Sequence, residues 1–253
     1  MKIATWNVNS IRSRVEHVLM LLKDNEVDIL GIQELKTEEK NFPFKDFESL
    51  GYYVEAFGQK AYNGVALISK FPFESITKNV LNDTEARTIV GIVKGLHILN
   101  VYFPHGGEYG SEKFFYKLEF YQKIKNYILK NNLLDVDFIL MGDFNVAKEP
   151  IDVWDPVMLD GTIGFMKEER EAISDLMSIG LVDAFRHFNP DVQEFTWWDY
   201  TSGSFRRNWG MRIDYILVSK SMLPKLQNCY IEKTFRKLEK PSDHVPVVLE
   251  ISV

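Results

Sequence analysis

The chain has 253 residues, with 30 basic against 36 acidic side chains and a formal net charge of −6. That balance excludes a polycation coating nucleic acid or anionic membrane without selectivity, though it leaves room for a local basic strip. A single cysteine, Cys229, excludes a disulfide framework and a thiolate zinc site. The first residues, MKIATWNVNSIRSR, carry no apolar core of signal-peptide length, and no window approaches the about 20 apolar residues of a membrane span. The expectation is a soluble, cytoplasmic protein.

Strand-like and helix-like patterns alternate along the chain. Lys2–Val8 reads as a strand, and Ser13–Asn25 as a helix with Val15, Val18, Leu19 and Leu22 on one face. Val27–Gln33 is an apolar strand. Tyr52–Phe57 and Gly64–Ser69 flank a turn near Asn63, and Arg87–Lys94 and His97–Phe103 form a hairpin turned at Lys94-Gly95. Ser111–Asn131 reads as the longest helix. Ser111 is its N-cap, and Phe115, Leu118, Tyr121, Ile124, Ile128 and Leu129 form its apolar stripe. Phe138–Gly142 is a strand and Lys167–Gly180 a helix. Phe195–Trp198, Ile213–Val218, Cys229–Phe235 and Val245–Ile251 read as later strands. Nothing resembles a linker or repeat, so a single domain over 1–253 is expected. Strands in both halves with long helices between them suggest two sheets packed face to face with helices outside.

Several apolar strands end on polar residues. Val27–Ile32 stops at Gln33-Glu34, Phe138–Met141 at Gly142-Asp143-Phe144-Asn145, and Ile98–Val101 leads to Tyr102. A buried strand delivers its last residue with little positional freedom, which suits a preorganised site. Each such residue alone has an ordinary explanation: Glu34 as a solvated carboxylate, Gly-Asp-Phe-Asn as an Asx turn, His244 as a turn histidine. Taken as a set they point to chemistry. Glu34 is a hard-cation ligand type, and Asp143 can take a proton from water while Asn145 orients a neighbour. Asp214, flanked by apolar residues, needs a partner, and the best one is His244 in Pro241-Ser242-Asp243-His244. There is no Gly-x-Ser-x-Gly elbow and no GxxxxGK[ST] loop. Metal-assisted attack of water on phosphorus is the reaction class left.

Trp6-Asn7-Val8-Asn9, Ile32-Gln33-Glu34-Leu35-Lys36, Gly142-Asp143-Phe144-Asn145 and Ser242-Asp243-His244 resemble the core of the DNase I-like phosphodiesterases. That core alone also permits a lipid or inositol phosphatase or a deadenylase. The segments Gly164-Phe165-Met166-Lys167-Glu168-Glu169-Arg170, Val182-Asp183-Ala184-Phe185-Arg186, Phe195–Tyr200 and Arg212-Ile213-Asp214-Tyr215 narrow the resemblance to the exonuclease III family of AP endonucleases, over nearly the whole chain. The resemblance implies an α/β four-layer sandwich, with two packed mixed β-sheets flanked by helices, and a DNA-repair nuclease. Such an enzyme cuts the phosphodiester 5′ to an abasic site and also acts as a 3′–5′ exonuclease or 3′-phosphodiesterase.

The same resemblance implies roles. Glu34 binds Mg²⁺ (or Mn²⁺), with Asn7, Asn9 and Asp243 sharing it. Asp143 activates water or protonates the leaving oxygen, and Asn145 orients the phosphate. Asp214 holds His244 against that phosphate, and Tyr102 donates to it. Arg206, Arg207 and Arg212 form a phosphate-contacting strip that Lys36 and Lys167 could extend; Arg87, Asn63 and His105 are further DNA contacts. Trp197, Trp198, Met211 and Ile213 form the pocket for the base-less sugar. His105 stands where many relatives have Asn or Gln, and Met211 where some have Trp. The implied partner is duplex DNA with abasic sites or blocked 3′ ends, engaged by a monomer away from membranes. Two other readings stay open: a phosphodiesterase of the same fold acting on RNA or a small phosphorylated substrate, and a non-catalytic nucleic-acid-binding module. The second predicts loss of a core carboxylate or of His244, and none is lost.

Overall fold

The apolar runs of the sequence become the strands of two sheets. In the computed structural model, which describes residues 1–252, the chain runs β1 (Lys2–Asn7), α1 (Ile11–Asp24), β2 (Ile29–Gln33), α2 (Phe44–Glu48), β3 (Tyr53–Phe57), β4 (Val65–Ser69), β5 (Ser75–Lys78), β6 (Thr88–Val93) and β7 (Leu96–Tyr102). It continues through α3 (Glu112–Lys130), β8 (Phe138–Asp143), α4 (Lys167–Ser178), β9 (Leu181–Asp183), α5 (Ala184–Phe188) and β10 (Trp197–Trp198). The last elements are α6 (Ser204–Arg207), β11 (Gly210–Met211), β12 (Asp214–Ser219), β13 (Leu226–Ile231) and β14 (Val247–Ile251).

One six-stranded sheet has the order β13-β14-β1-β2-β4-β3, the other β5-β6-β7-β8-β12-β9, and β10 and β11 pair as a separate ribbon. Both sheets are mixed: β1 and β2 are parallel, as are β7 and β8, and the remaining neighbours are antiparallel. Residues two apart on a strand share a face. Ile139 and Met141 of β8 and Ile216 and Val218 of β12 therefore point inward and pack with Ile3 and Ile29 of the first sheet in one continuous core. Leu99, Leu140 and Leu217 point outward under Phe120, Ile124 and Ile128 of α3 and Ile173 and Leu176 of α4. On the far side, Val18, Leu21 and Leu22 of α1 cover the first sheet. The result is a four-layer α/β/β/α sandwich. No helix among the described residues is long and apolar enough to cross a membrane.

The sheets approach closely beneath the site. A Cβ on Gly31 would lie 2.6 Å from Met141 Cε and 2.9 Å from Asn100 Cγ, so a larger residue there would displace side chains between the sheets. The gap is bridged by a buried amide relay: Gln33 Nε2 donates to Thr5 Oγ1 (2.9 Å) and to Asn100 Oδ1 (2.6 Å), and Asn100 Nδ2 donates to the carbonyls of Ile32 and Ala66.

Three expectations change. The stripe of α3 is rotated: Phe114, Lys117, Phe120, Tyr121, Ile124 and Ile128 face inward, while Phe115 and Leu129 are exposed. A buried partner for Lys117 allows a charged residue to take an inward position. The predicted Cys229–Phe235 strand is β13 displaced toward the N-terminus, and residues 233–237 form a 3₁₀ turn. Phe195–Trp198 shortens to the two-residue β10, paired with β11 and joined to the His244 segment by a single bridge at Trp197. The short β5 and β9, at the edges of the second sheet, carried too few apolar residues to show a period.

Candidate active site

Strand direction and inward parity together build the site. Parallel pairing brings the C-terminal ends of β1 and β2, and of β7 and β8, to one side of their sheets, with Asn7 opposite Gln33 and Tyr102 opposite Asp143. The antiparallel β12 returns its first residue to the same end, so Asp214 lies opposite Asp143. His244 precedes β14, which runs antiparallel to β1. Continuing the inward parity past the last apolar residue of each strand therefore places Asn7, Tyr102, Asp143 and Asp214 in the gap between the sheets.

Asn7 Nδ2 donates to Glu34 Oε1 and to Asp143 Oδ2, each at 2.8 Å, and joins the two carboxylates. Tyr102 Oη donates to the same Glu34 oxygen at 3.0 Å. His244 Nδ1 is 2.8 Å from Asp214 Oδ2, and its Nε2 faces Asp143 Oδ2 at 3.6 Å. The backbone N–H of Asn145 donates to Asp143 Oδ1 (2.9 Å), and Asn145 Nδ2 to the carbonyl of Phe103 (2.8 Å). The loop holding His244 is tied to β1: Trp6 Nε1 donates to the His244 carbonyl and Ser242 Oγ to that of Asn7. Gly142 lets β8 pass close to β7 just before Asp143, since a Cβ there would lie 1.8 Å from the Val101 carbonyl oxygen.

Charge is distributed unequally. Burial pushes the Asp143 carboxyl up to about 7, with His244 pulling it down and Asp214 pushing it further up. Burial acts against the His244 imidazolium, but the Asp214 and Asp143 carboxylates outweigh it and raise its pKa well above that of a free imidazole. Burial would also raise Glu34, yet the Asn7 amide, the His244 charge, Lys36 and Tyr102 together hold it below the ordinary carboxylate value. Burial first, then Glu34 and Asp143, keep the Tyr102 hydroxyl protonated and available as a donor. One Asp214 oxygen, Oδ1, is buried without a hydrogen-bond partner.

Ligand atoms of Glu34, Asp143 and His244 lie within 4.8 Å of one another, a carboxylate-rich group suited to a hard divalent cation. This set differs from the expected one. Asp143 belongs to it, and the Asn9 side chain is engaged beside it, with Nδ2 donating to Tyr200 Oη and Oδ1 accepting from Lys36 Nζ where the chain turns at φ 45°. Asn7 is bound to two of the three members. Asp243 lines the same cavity but spends Oδ2 on the Trp197 indole N–H (3.0 Å).

A cavity of about 200 Å³ opens at this point. One wall is Glu34, Tyr102, Asn145 and His244; the other is apolar, formed by Ile163, Trp197, Met211 and Ile213, and His105 and Gly164 also line it. Trp198, expected beside Trp197, is fully buried in the core with its N–H on Asn208 Oδ1, since neighbouring strand residues face opposite ways. Ile163 and Gly164 were missed as lining residues. Gly164 opens the Gly-Phe-Met-Lys-Glu-Glu-Arg segment, and that segment was the available signal.

The basic residues separate into two groups. Arg206 and Arg207, on α6, are exposed. Arg212 is not a surface residue: it is 2% exposed, donates to Asp152 Oδ1 (2.8 Å) and Asp183 Oδ2 (2.7 Å), and packs over Phe185 and Tyr215. A guanidinium inside the protein needs such carboxylates, and both are committed to it. Arg87 and Asn63 are largely buried and line a neighbouring cavity with His105, where Arg87 pairs with Glu85 (2.6 Å) and donates to the Tyr102 carbonyl. Lys36 lies 3.3 Å from Glu34 at the rim, and Lys167 stands on α4 beside Glu171.

Residues 4–244 match the Endonuclease/Exonuclease/phosphatase family. The chain belongs to this family. Exodeoxyribonuclease III of Haemophilus influenzae is 33% identical over 268 residues, covering 99% of both chains. The structure of an AP endonuclease from Archaeoglobus fulgidus superposes with a TM-score of 0.96 at 38% identity, covering 100% of both chains. A 3′ phosphatase from Neisseria, solved with a product DNA hairpin, gives a TM-score of 0.96 at 35% identity over 100% of both chains. The names of these relatives are those of DNA-processing enzymes, and the two solved structures share the two-sheet sandwich.

Proposed function

We propose that this chain is a metal-dependent AP endonuclease that hydrolyses the phosphodiester 5′ to an abasic site in duplex DNA, with 3′–5′ exonuclease and 3′-phosphodiesterase activity at the same centre. The observation that carries this reading is the shared cavity. An apolar wall of Ile163, Trp197, Met211 and Ile213 faces the Glu34, Asn145 and His244 side chains across one small space. A sugar without its base fits such a wall while its phosphate meets the polar side, and extruding it costs least where stacking is already lost. The activities for which these relatives are named agree with it.

Glu34, with Asp143 and His244 nearest to it, would hold Mg²⁺ or Mn²⁺. The bound ion supplies positive charge against the phosphoryl oxygens. Asp143, with its carboxyl near neutrality, accepts a proton from the attacking water or returns one to the leaving oxygen. His244, kept cationic by Asp214, offsets negative charge as it grows on phosphorus-bound oxygen. Asn145 orients the phosphate. The bond from phosphorus to O3′ breaks, leaving a 3′-hydroxyl on one fragment and the abasic sugar phosphate on the other. Tyr102 and Asn7 act on Glu34, fixing its carboxylate by hydrogen bonds. Arg206 and Arg207 contact DNA phosphates beside the cleft.

The test is a duplex oligonucleotide with one abasic site, run with Mg²⁺ and with Mn²⁺ beside an undamaged recessed 3′ end. A nick immediately 5′ to the lesion is expected. No cleavage there with either ion overturns the proposal. Asp143→Asn should lower turnover by roughly 10²- to 10⁴-fold while DNA binding persists.

A further inference from the structure

Beneath the site lies an ion pair that takes no part in the chemistry described so far. Lys117 of α3 and Glu169 of α4 pair with side chains 0% and 1% exposed. An ammonium has three donors, and all three are used: one on Glu169, one on the Asn145 carbonyl (2.6 Å) and one on the His105 carbonyl (3.1 Å). Glu169 in turn accepts the backbone N–H groups of Gly164 (2.9 Å) and Met166 (3.0 Å). Three loops meet on one pair: the segment after β7, the segment after β8, and the segment leading into α4. Each supplies a residue to the cavity wall, namely His105, Asn145 and Gly164.

Stability alone is a weak reason for this arrangement. Desolvating two charges costs several kcal/mol per ion before their attraction returns any of it, and apolar replacements of equal volume are often neutral or stabilising. What the pair supplies is position. Asn145 sits at φ 52°, where the chain turns out of β8 between Asp143 and the cavity wall. Its carbonyl is held by Lys117 while its N–H holds Asp143. The chain also passes closely over the lysine stem, since a Cβ on Gly106 would meet Lys117 Cδ at 2.6 Å.

We propose that Lys117, anchored by Glu169, is a positioning residue for hydrolysis, fixing the Asn145 and His105 carbonyls so that Asp143, Asn145 and the cavity wall keep one register. The proposal rests on the reaction assigned above, but its backbone readout does not depend on that substrate. The variant is Lys117→Met combined with Glu169→Gln, which removes both buried charges together and leaves an amide oxygen for the Gly164 and Met166 N–H groups. Thermal unfolding, amide hydrogen exchange and steady-state kinetics are measured on the full chain.

The expected result is a folded protein in which exchange at residues 105–106 and 143–146 accelerates roughly tenfold or more while the sheet interiors stay protected. With the abasic duplex, kcat falls about 10²-fold, the cost of a misplacement near 1 Å, while KM stays within about threefold. Unchanged exchange in those loops overturns the proposal, even if the protein proves to cleave some other phosphodiester. Faster exchange with parental kcat also overturns it, because the pair would then be structural only. Should the double variant fail to fold, Lys117→Gln with Glu169→Gln, which also removes both charges but keeps a donor and an acceptor in place, carries the same readouts with smaller changes in the same direction. Parental exchange and kcat in that variant overturn the proposal equally.

Discussion

Arg212→Leu separates a buried ion network from a DNA-contacting strip. In the folded chain Arg212 Nε and Nη2 bond to Asp152 and Asp183, all three side chains being nearly inaccessible to water. Removing one partner of a buried pair costs about 3–5 kcal/mol, because the remaining charge stays buried without compensation. The lower end applies here. Asp152 keeps Arg186 Nη2 at 2.6 Å and Asp183 keeps the Arg186 N–H that it caps at 3.1 Å, so neither carboxylate is wholly abandoned. For a chain of this length each kcal/mol moves the Tm by about 2–4 °C, so a loss near 3 kcal/mol lowers it by roughly 6–12 °C.

The assay is thermal unfolding by circular dichroism, paired with a salt titration of binding to undamaged duplex. The Tm should drop by that amount, while the slope of log K against log salt remains that of the parent. Adding Asp183→Asn should return part of the loss, since the amide oxygen still caps α5 and one stranded charge is gone. A Tm within about 1 °C of the parent, together with a shallower salt slope, would refute the reasoning and return Arg212 to the surface strip.

The exposed pair gives the complementary result. Arg206→Ala with Arg207→Ala should weaken duplex binding and reduce the salt slope by about 0.9 for each phosphate no longer neutralised, with stability changed by no more than about 0.5 kcal/mol per site. Acid titration probes the network from the carboxylate side. Burial would raise Asp152, but the charge and hydrogen bonds of Arg212, with the Glu149 N–H and Arg186, hold it below the usual carboxylate range. A carboxyl depressed by folding contributes stability that is fully present above its unfolded value of about 3.9 and is lost as pH falls below it toward the folded value. Unfolding free energy should therefore fall with pH below about 4, and Arg212→Leu should flatten that dependence; an equal slope in both proteins contradicts the assignment.

Much of the site was legible because it follows from strand geometry. Asp143 and Asp214 end or begin continuous apolar runs, and His244 lies in a short Pro-bounded segment before another strand. The misreadings have equally local causes. Trp197 and Trp198 cannot both face one cavity from a strand, and alternation alone would have removed Trp198. Arg212 lies beside Asp214 in the sequence, and charge pattern cannot distinguish a cation facing phosphate from one facing Asp152 and Asp183, which are 60 and 29 residues distant. Lys117 was overlooked for a different reason. With Tyr121, Ile124 and Ile128 it follows the helical period, so its position is inward, yet its type reads as solvated until Glu169 is seen beneath it.

The acid that gives the chain its negative balance is partly explained by this architecture. Asp143 and Asp214 face each other across β8 and β12, with Glu34 reached through Asn7, and each buried acid is answered by a cation from elsewhere in the chain: His244 answers Asp214 and Asp143, Lys117 answers Glu169, and Arg212 answers Asp152 and Asp183. Glu34 and Asn145 also adopt positive φ, 53° and 52°, at the points where the chain leaves β2 and β8. At Glu34 such a backbone costs about 1–3 kcal/mol and persists only where neighbours hold it in place, whereas Asn adopts it readily. The Ser10 N–H on the Glu34 carbonyl (2.9 Å), with Asn7 and Tyr102 on its carboxylate, holds Glu34, and Lys117 holds the Asn145 carbonyl. Polar contacts at and beneath the site therefore fix the two residues that leave β2 and β8, at the open end of two sheets whose strand directions bring their functional ends together.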